Sequence, residues 1–215
     1  MIREKTAAIA LIVGALASVL IMALHPTGAH GVDDPRSAAA ILNVAVHTLG
    51  IAALATIFAG TLAIPGRSGD NTGLAVFGVV AYGLAVVCGT LAAAMSGYVV
   101  PSLIERLAGA GESKLRAFEG AVVLAHDFNQ SFAKLFTGAT ACAFLFWSAA
   151  IFGVRSLPRA LAWSALAVGI AVWLGLATGH LRMNLHGFGA VVLAEAAWFV
   201  ALGVVMLRTR SAPAV

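Results

Sequence analysis

The chain has 215 residues, of which 61% are hydrophobic and only 10% are charged, and its mean hydropathy is +0.98. A soluble domain is about 45–50% apolar and about 25% charged, so a soluble globule of this length cannot bury so much apolar surface. The same figures exclude a disordered chain and a collagen-like repeat. The net charge of +4 comes from Lys and Arg that lie mostly between apolar runs, which excludes a nucleic-acid partner. We therefore predict one membrane domain over residues 1–215, with the lipid bilayer as its main partner.

Six apolar segments are long enough to cross a bilayer as helices, because the hydrocarbon core requires about 20 residues per helix. They comprise residues 6–24, 38–64, 74–100, 135–154, 160–178 and 186–207. Ser37 is placed to act as the N-cap of the second segment. These segments predict an all-α, polytopic six-transmembrane-helix bundle. Their many small residues predict close helix packing, either within the chain or against other membrane subunits.

The first segment resembles a secretory signal in outline, because Arg3 and Lys5 precede an apolar run. The apolar run of residues 6–24 is longer than the usual signal core of about 7–15 residues. We therefore expect a first span that is retained rather than cleaved.

The basic residues of the short loops are distributed unequally between the two sides of the membrane in this topology. One side, which includes the N-terminus, carries Arg3, Lys5, Arg67, Arg155, Arg159, Arg208 and Arg210. The other side has only Arg36 and Arg182 in its short loops. Because cytoplasmic loops are enriched in Lys and Arg, we predict a multi-pass protein of the cell (inner) membrane with both termini in the cytoplasm.

The connection between the third and fourth segments, residues 101–134, is the one irregular element. A Gly-rich break is followed by Ser113 as a candidate N-cap, from which a helix can run to Val154. Such a helix is longer than one crossing, so two alternatives remain. Either an amphipathic extracytoplasmic stretch precedes the fourth helix, or the fourth span begins near Phe118 and carries polar residues inside the membrane.

All six histidines fall on the extracytoplasmic side of this topology. They are His25, His30, His47, His126, His180 and His186. Imidazole is the commonest metal ligand and titrates near neutral pH. Ionisable groups in a bilayer are costly, so their grouping indicates a functional site.

We predict a metal or haem site that faces the extracytoplasmic side. Its ligands would be His47 and His126, with help from His25, His180 or His186. Imidazole suits zinc, copper or iron, and His47 with His126 would alternatively serve as axial ligands of a haem. In a zinc site the metal would activate water for hydrolysis with Asp127 as the base, whereas copper or haem would transfer electrons. Whether the protein is an enzyme stays open.

Polar neighbours of these histidines follow from helical spacing. Asn43 precedes His47 by four residues, so it lies on the same helix face and is placed to orient the His47 ring. Asn129 and Gln130 share a face with His126 by the same rule. Met22 and Met95 near the same boundary would add thioether sulfur, which suits copper.

Glu195 lies within the sixth segment among Ala and Val, nine residues after His186 and therefore on the opposite helix face. A carboxylate there is either protonated or paired across helices, with Lys134 or Arg182 as the basic residue of comparable depth. Glu195 and the polar residues of the fourth segment support an alternative function, a small-solute or proton-coupled transporter. The small-residue faces support a third function, a non-catalytic subunit of a larger membrane complex.

These functions make different structural demands. A metal site requires at least three donors within a few ångströms of one point. A transporter requires a cavity that reaches the membrane midplane with Glu195 in its wall.

Overall fold

The computed structural model describes residues 4–26, 37–107 and 111–209, with the backbone alone for residues 107 and 112–117. Within these ranges the chain is helical and has no strand. The helices are α1 (Glu4–Leu24), α2 (Ala38–Thr61), α3 (Thr72–Ala94), α4 (Val100–Leu107), α5 (Glu112–Phe152), α6 (Arg159–Ala177) and α7 (Leu185–Arg208). Six helical segments of the described chain are long and apolar enough to cross a membrane. The protein is an all-α polytopic membrane bundle that contacts the lipid bilayer.

The long helix that the sequence allows in the middle of the chain is present in the structure. α5 is one helix of 41 residues, and it begins at Glu112, well before the apolar segment predicted from residue 135. Its continuity is compatible with both alternatives for this region, which therefore stay predictions. Its N-cap is Gly111 instead of Ser113. At the rise of an α-helix, α5 is about 60 Å long, roughly twice the thickness of a bilayer core.

The third segment also extends beyond its predicted end. A π-helical turn, Met95–Val99, joins α3 to α4, so that one helical segment runs from Gly69 to Arg106. Pro101, the residue that follows the predicted end of this segment, lies in the first turn of α4. A proline there costs little because the first N–H groups of a helix have no partner within it.

The six longer helices pack as two groups of three. α1 packs along α2 and α7, and α5 packs along α3 and α6. Glycines bring α1 close to its neighbours: an added Cβ would lie 2.8 Å from the Ala7 carbonyl oxygen at Gly60, and 2.8 Å from the Ala8 carbonyl oxygen at Gly203. Van der Waals packing of this kind holds helices together in lipid, as the small-residue content predicts.

An aromatic cluster joins the two groups on the side of the bundle where α3 and α6 begin and α5 ends. Trp147 of α5 and Trp198 of α7 are stacked, with ring centroids 5.6 Å apart and 4° between their planes. Each indole N–H is satisfied: Trp198 donates to the Leu161 carbonyl at 2.9 Å and Trp147 to the Ala75 carbonyl at 3.3 Å. The ring stacking and the Trp198 hydrogen bond therefore join the two groups, whereas the Trp147 hydrogen bond lies within the group of α3, α5 and α6.

We name the two ends of the bundle by their residues. At the arginine end, where α1 begins and α7 ends, Arg67 is buried and donates to Glu4 Oε2 at 3.1 Å and to Thr209 Oγ1 at 2.7 Å. It also donates to the carbonyl oxygens of Thr209 at 2.8 Å and Met206 at 3.3 Å. Arg67 is therefore a structural link between three helix ends rather than a solvated loop charge. The opposite end, where α1 ends and α7 begins, is the histidine end.

Candidate functional site

A cavity of about 590 Å³ lies between the two helix groups and opens at the histidine end. α1, α2, α3, α5 and α7 all contribute to its wall, together with the turn that precedes α7. Its volume falls within the range of about 300–1,000 Å³ typical of small-molecule pockets. The wall is mainly apolar with a few polar side chains, which is the usual composition of a ligand site.

Four of the five described histidines line the outer part of this cavity. They are His25, His47, His126 and His186, each from a different helix or helix end. His180 is exposed in the connection between α6 and α7 and lies outside the wall. His30 lies outside the described residues.

His25 and His47 are in direct ring contact. Their centroids are 5.1 Å apart and their planes are at 73°, an edge-to-face arrangement. His47 Nδ1 donates to the Asn43 carbonyl oxygen at 2.7 Å, and His25 Nδ1 to the Pro26 carbonyl oxygen at 3.2 Å. An added Cβ on Gly97 would lie 2.5 Å from the Cβ of His47, so the π-helical turn packs directly against this histidine.

The π-helical turn also organises a polar network beside the histidines. Asn43 orients His47 through its backbone carbonyl, whereas its side chain donates to the Ser96 carbonyl oxygen at 2.9 Å. Asn129 donates to the Ala92 carbonyl oxygen at 2.8 Å and to Ser96 Oγ at 2.9 Å. Gln130 donates to Asn129 Oδ1 at 3.2 Å. A π-helical turn frees carbonyl groups from the helix ladder, and Asn43 and Asn129 both donate to Ser96 of this turn. The role of Asn129 and Gln130 beside His126 stays a prediction.

The other predicted metal-site residues do not come together with the histidine pair. Among the described residues, no group of three or more His, Cys, Asp or Glu side chains is close enough to hold a metal ion. Asp127 is exposed on α5 and is not part of the cavity wall, and His126 is exposed at the cavity mouth. The zinc, copper and haem hypotheses therefore stay predictions.

Glu195 lies in the inner part of the same cavity. It is 6% exposed and lines the wall on one side of α7 with Val192 and Phe199. Ten residues from the start of α7 correspond to about 15 Å of helix, so Glu195 is near the middle of the span. No hydrogen bond or ion pair joins it to another described residue.

Glu195 and His186 share this cavity although their spacing places them on opposite faces of α7. His186 lies in the first turn of the helix, where the cavity is open, and both residues therefore reach it. The sequence gives the depth of Glu195 but not the rotation of α7 or the gap between the helix groups.

Aromatic rings surround the inner part of the cavity. Tyr82 and Phe199 are in edge-to-face contact with centroids 5.3 Å apart, and Phe136 and Phe188 are 5.7 Å apart. All four line the cavity, from α3, α5 and α7. The pocket thus combines an apolar aromatic body with one buried carboxyl group.

Comparison with known proteins does not identify a relative. No protein-family model, no curated protein and no solved structure matches the chain. The functional argument therefore rests on the chemistry of the cavity itself.

Proposed function

We propose that the protein transports a small solute, which binds in the cavity between the helix groups and is coupled to a proton on Glu195. The observation that carries this proposal is a 6% exposed carboxyl group that lies in the wall of an open cavity and has no hydrogen bond or ion pair with another described residue. Ionisable side chains inside membranes are costly and face interior cavities where they serve function. A structural role would instead give Glu195 a partner.

The depth of the cavity supports the same proposal. Nine residues separate His186 at the mouth from Glu195, which is about 14 Å of helix and about half of a bilayer core. Transporters bind their solutes near the midplane, between two parts that rock against each other. The two helix groups are suited to that motion, since the aromatic cluster joins them toward the arginine end and the cavity separates them at the histidine end.

Thiol accessibility tests whether the cavity reaches Glu195 in the membrane. In a background with Cys88→Ala and Cys142→Ala, we expect Ala196→Cys to react with a small water-soluble thiol reagent. The matched control is Ala162→Cys, because Ala162 is equally buried but lies on α6 outside the cavity. Equal reaction rates for the two variants would contradict an open cavity at this depth.

A measurement of proton flux tests whether solute transport is coupled to a proton on Glu195. In liposomes that contain a pH-sensitive dye, a panel of cationic, neutral and anionic solutes is added to the protein. We expect at least one solute to drive a pH change that Glu195→Gln abolishes and that the exposed control Asp127→Asn retains. Equal flux in Glu195→Gln, or the absence of flux with every solute, would contradict the proposal.

A second candidate function is metal or haem binding, and the His25–His47 contact favours it. Each ring directs its Nδ1–H to a backbone carbonyl, which leaves Nε2 available as a ligand, the usual arrangement of metal-bound histidine. Zinc sites use three or four protein ligands, so His126, His186 or Met22 would have to complete the set. Elemental analysis and a visible spectrum of tag-free protein test this. Stoichiometric zinc or copper, or a haem absorption band, would support it if His47→Ala and His126→Ala remove the signal.

A further inference from the structure

We infer that the solute of this cavity is a lipophilic organic cation, whose positive charge takes the place of the proton on Glu195. This inference rests on the proposed function, because it names the class of solute that the same cavity binds.

The first support is that Glu195 lacks a counter-ion among the described residues. Lys134 and Arg182, the basic residues of comparable depth, are both exposed and lie outside the cavity wall. Arg67 is committed to Glu4 and Thr209 at the other end of the bundle. Within the described residues, Glu195 therefore has no cation of the protein to pair with, and a positively charged ligand would supply one.

The second support is the aromatic wall. Aromatic faces attract organic cations through the ring quadrupole, and the attraction is strongest where water is excluded. Tyr82, Phe136, Phe188 and Phe199 place four rings in the same cavity as the carboxyl group. An anion would be repelled by the Glu195 carboxylate, and a neutral solute would make no use of its charge. An apolar body with one positive charge matches both features.

The exchange conserves charge within the cavity. As the cation binds, the O–H bond of the Glu195 carboxyl group breaks and the proton leaves to water at the histidine end. The titratable side chains that face the cavity are His25 from α1, His47 from α2, Tyr82 from α3, His126 from α5 and His186 from α7 itself. α6 contributes none to the wall. Imidazole side chains can also bind and release protons, so a test must separate their protons from that of Glu195.

Binding of three ligands of similar shape tests the charge preference. The probes are tetraphenylphosphonium (a cation), triphenylphosphine oxide (neutral) and tetraphenylborate (an anion), added to the protein in lipid nanodiscs. We expect tetraphenylphosphonium to bind the wild type most tightly and to lose affinity by about tenfold or more in Glu195→Gln. Glu195→Asp, which keeps the charge, should recover part of the affinity, and Glu119→Gln should not change it, because Glu119 is exposed and outside the cavity wall. Triphenylphosphine oxide should bind the wild type and Glu195→Gln equally, which verifies that the variant is folded.

The outcomes separate this inference from the proposed function. If the neutral probe binds as tightly as the cation and Glu195→Gln changes neither, the cation assignment is overturned while a solute-binding cavity stands. If none of the three probes binds the wild type, the cation assignment falls together with the proposed function. Preferred binding of tetraphenylborate would also overturn the assignment.

Calorimetry in two buffers of different ionisation enthalpy then counts the released protons. We expect about one proton per bound tetraphenylphosphonium at a pH where Glu195 is protonated in the free protein. Glu195→Gln should release none, and the double variant His126→Gln/His186→Gln should still release it. Release that persists in Glu195→Gln would assign the proton to another group and overturn the exchange.

Discussion

Arg67 and Glu195 are buried to the same extent, each with 6% of its surface exposed, yet their surroundings are opposite. Arg67 donates four hydrogen bonds at the arginine end, to Glu4, Met206 and Thr209. Glu195 lies in the wall of an open cavity and has no hydrogen bond or ion pair with a described residue. Burial alone therefore does not separate a structural charge from a functional one. The presence or absence of partners distinguishes the two kinds of charge. An unpaired ionisable group in a membrane is costly, so its presence indicates a function.

The largest effect on stability is expected at Arg67. Arg67→Ala removes the cation that links the start of α1 to the end of α7, and takes away a donor from the buried Met206 carbonyl group. We expect a loss of about 3 kcal/mol in the free energy of unfolding, since breaking one side of a buried charge network is costly. Unfolding in detergent, followed by circular dichroism, measures the loss.

The matched control for Arg67 is Arg155→Ala, because Arg155 is exposed at the same end of the bundle. Arg67→Lys should also destabilise the protein, since a lysine cannot reproduce the planar fork of donors. Equal stability of Arg67→Ala and Arg155→Ala would refute the structural role of Arg67.

A smaller loss of stability is expected at Gly97. An added Cβ there would lie 2.5 Å from the Cβ of His47, so Gly97→Ala must push the π-helical turn away from α2. We expect a loss of about 1–3 kcal/mol, the usual range for overpacking, measured by the same unfolding method. Gly50→Ala is the control: Gly50 is also in a helix and lines the cavity, but an added Cβ meets no atom within 4 Å. That control should stabilise the protein slightly, because alanine favours helix more than glycine does.

The smallest effect on stability is expected at Glu195. Glu195→Gln breaks no hydrogen bond or ion pair among the described residues and removes an ionisable group from the membrane interior. We expect the free energy of unfolding to stay the same or to rise by about 1 kcal/mol, as is common when a functional group is neutralised. A loss as large as that of Arg67→Ala would mean that Glu195 has a structural partner, and it would undo the contrast between the two residues.

The sequence predicts the parts of the fold that depend on local chain properties. Apolar length identifies the six spans, and Ser37 is confirmed as the N-cap of α2, since its Oγ accepts from the Ala40 N–H at 3.1 Å. Helical spacing also places Asn43 on the same face as His47. It does not reveal that the contact uses the Asn43 backbone, because the π-helical turn that attracts the Asn43 side chain has no sequence signature.

The candidate site depends on relations between helices, which a single sequence does not contain. His25 follows the end of α1, whereas His47 lies within α2, so the two rings meet because α2 extends past the end of α1 in space. Only helix packing determines this offset. Arg67 is buried because its loop folds back beneath the ends of α1 and α7. Glu195 joins the histidines in one cavity because the two helix groups separate at the histidine end. In each case the residue type indicates correctly that burying the side chain is energetically costly. Its role depends on the residues that it contacts in the folded protein.

The most direct test of the central claim is the infrared difference spectrum of the protein in nanodiscs, recorded with and without tetraphenylphosphonium. If Glu195 gives up its proton to a cationic solute, a protonated carboxyl band should disappear and a carboxylate band should appear, and both changes should be absent in Glu195→Gln. A wild-type spectrum without these changes, although tetraphenylphosphonium is bound, would contradict the exchange of a proton for a cation at Glu195.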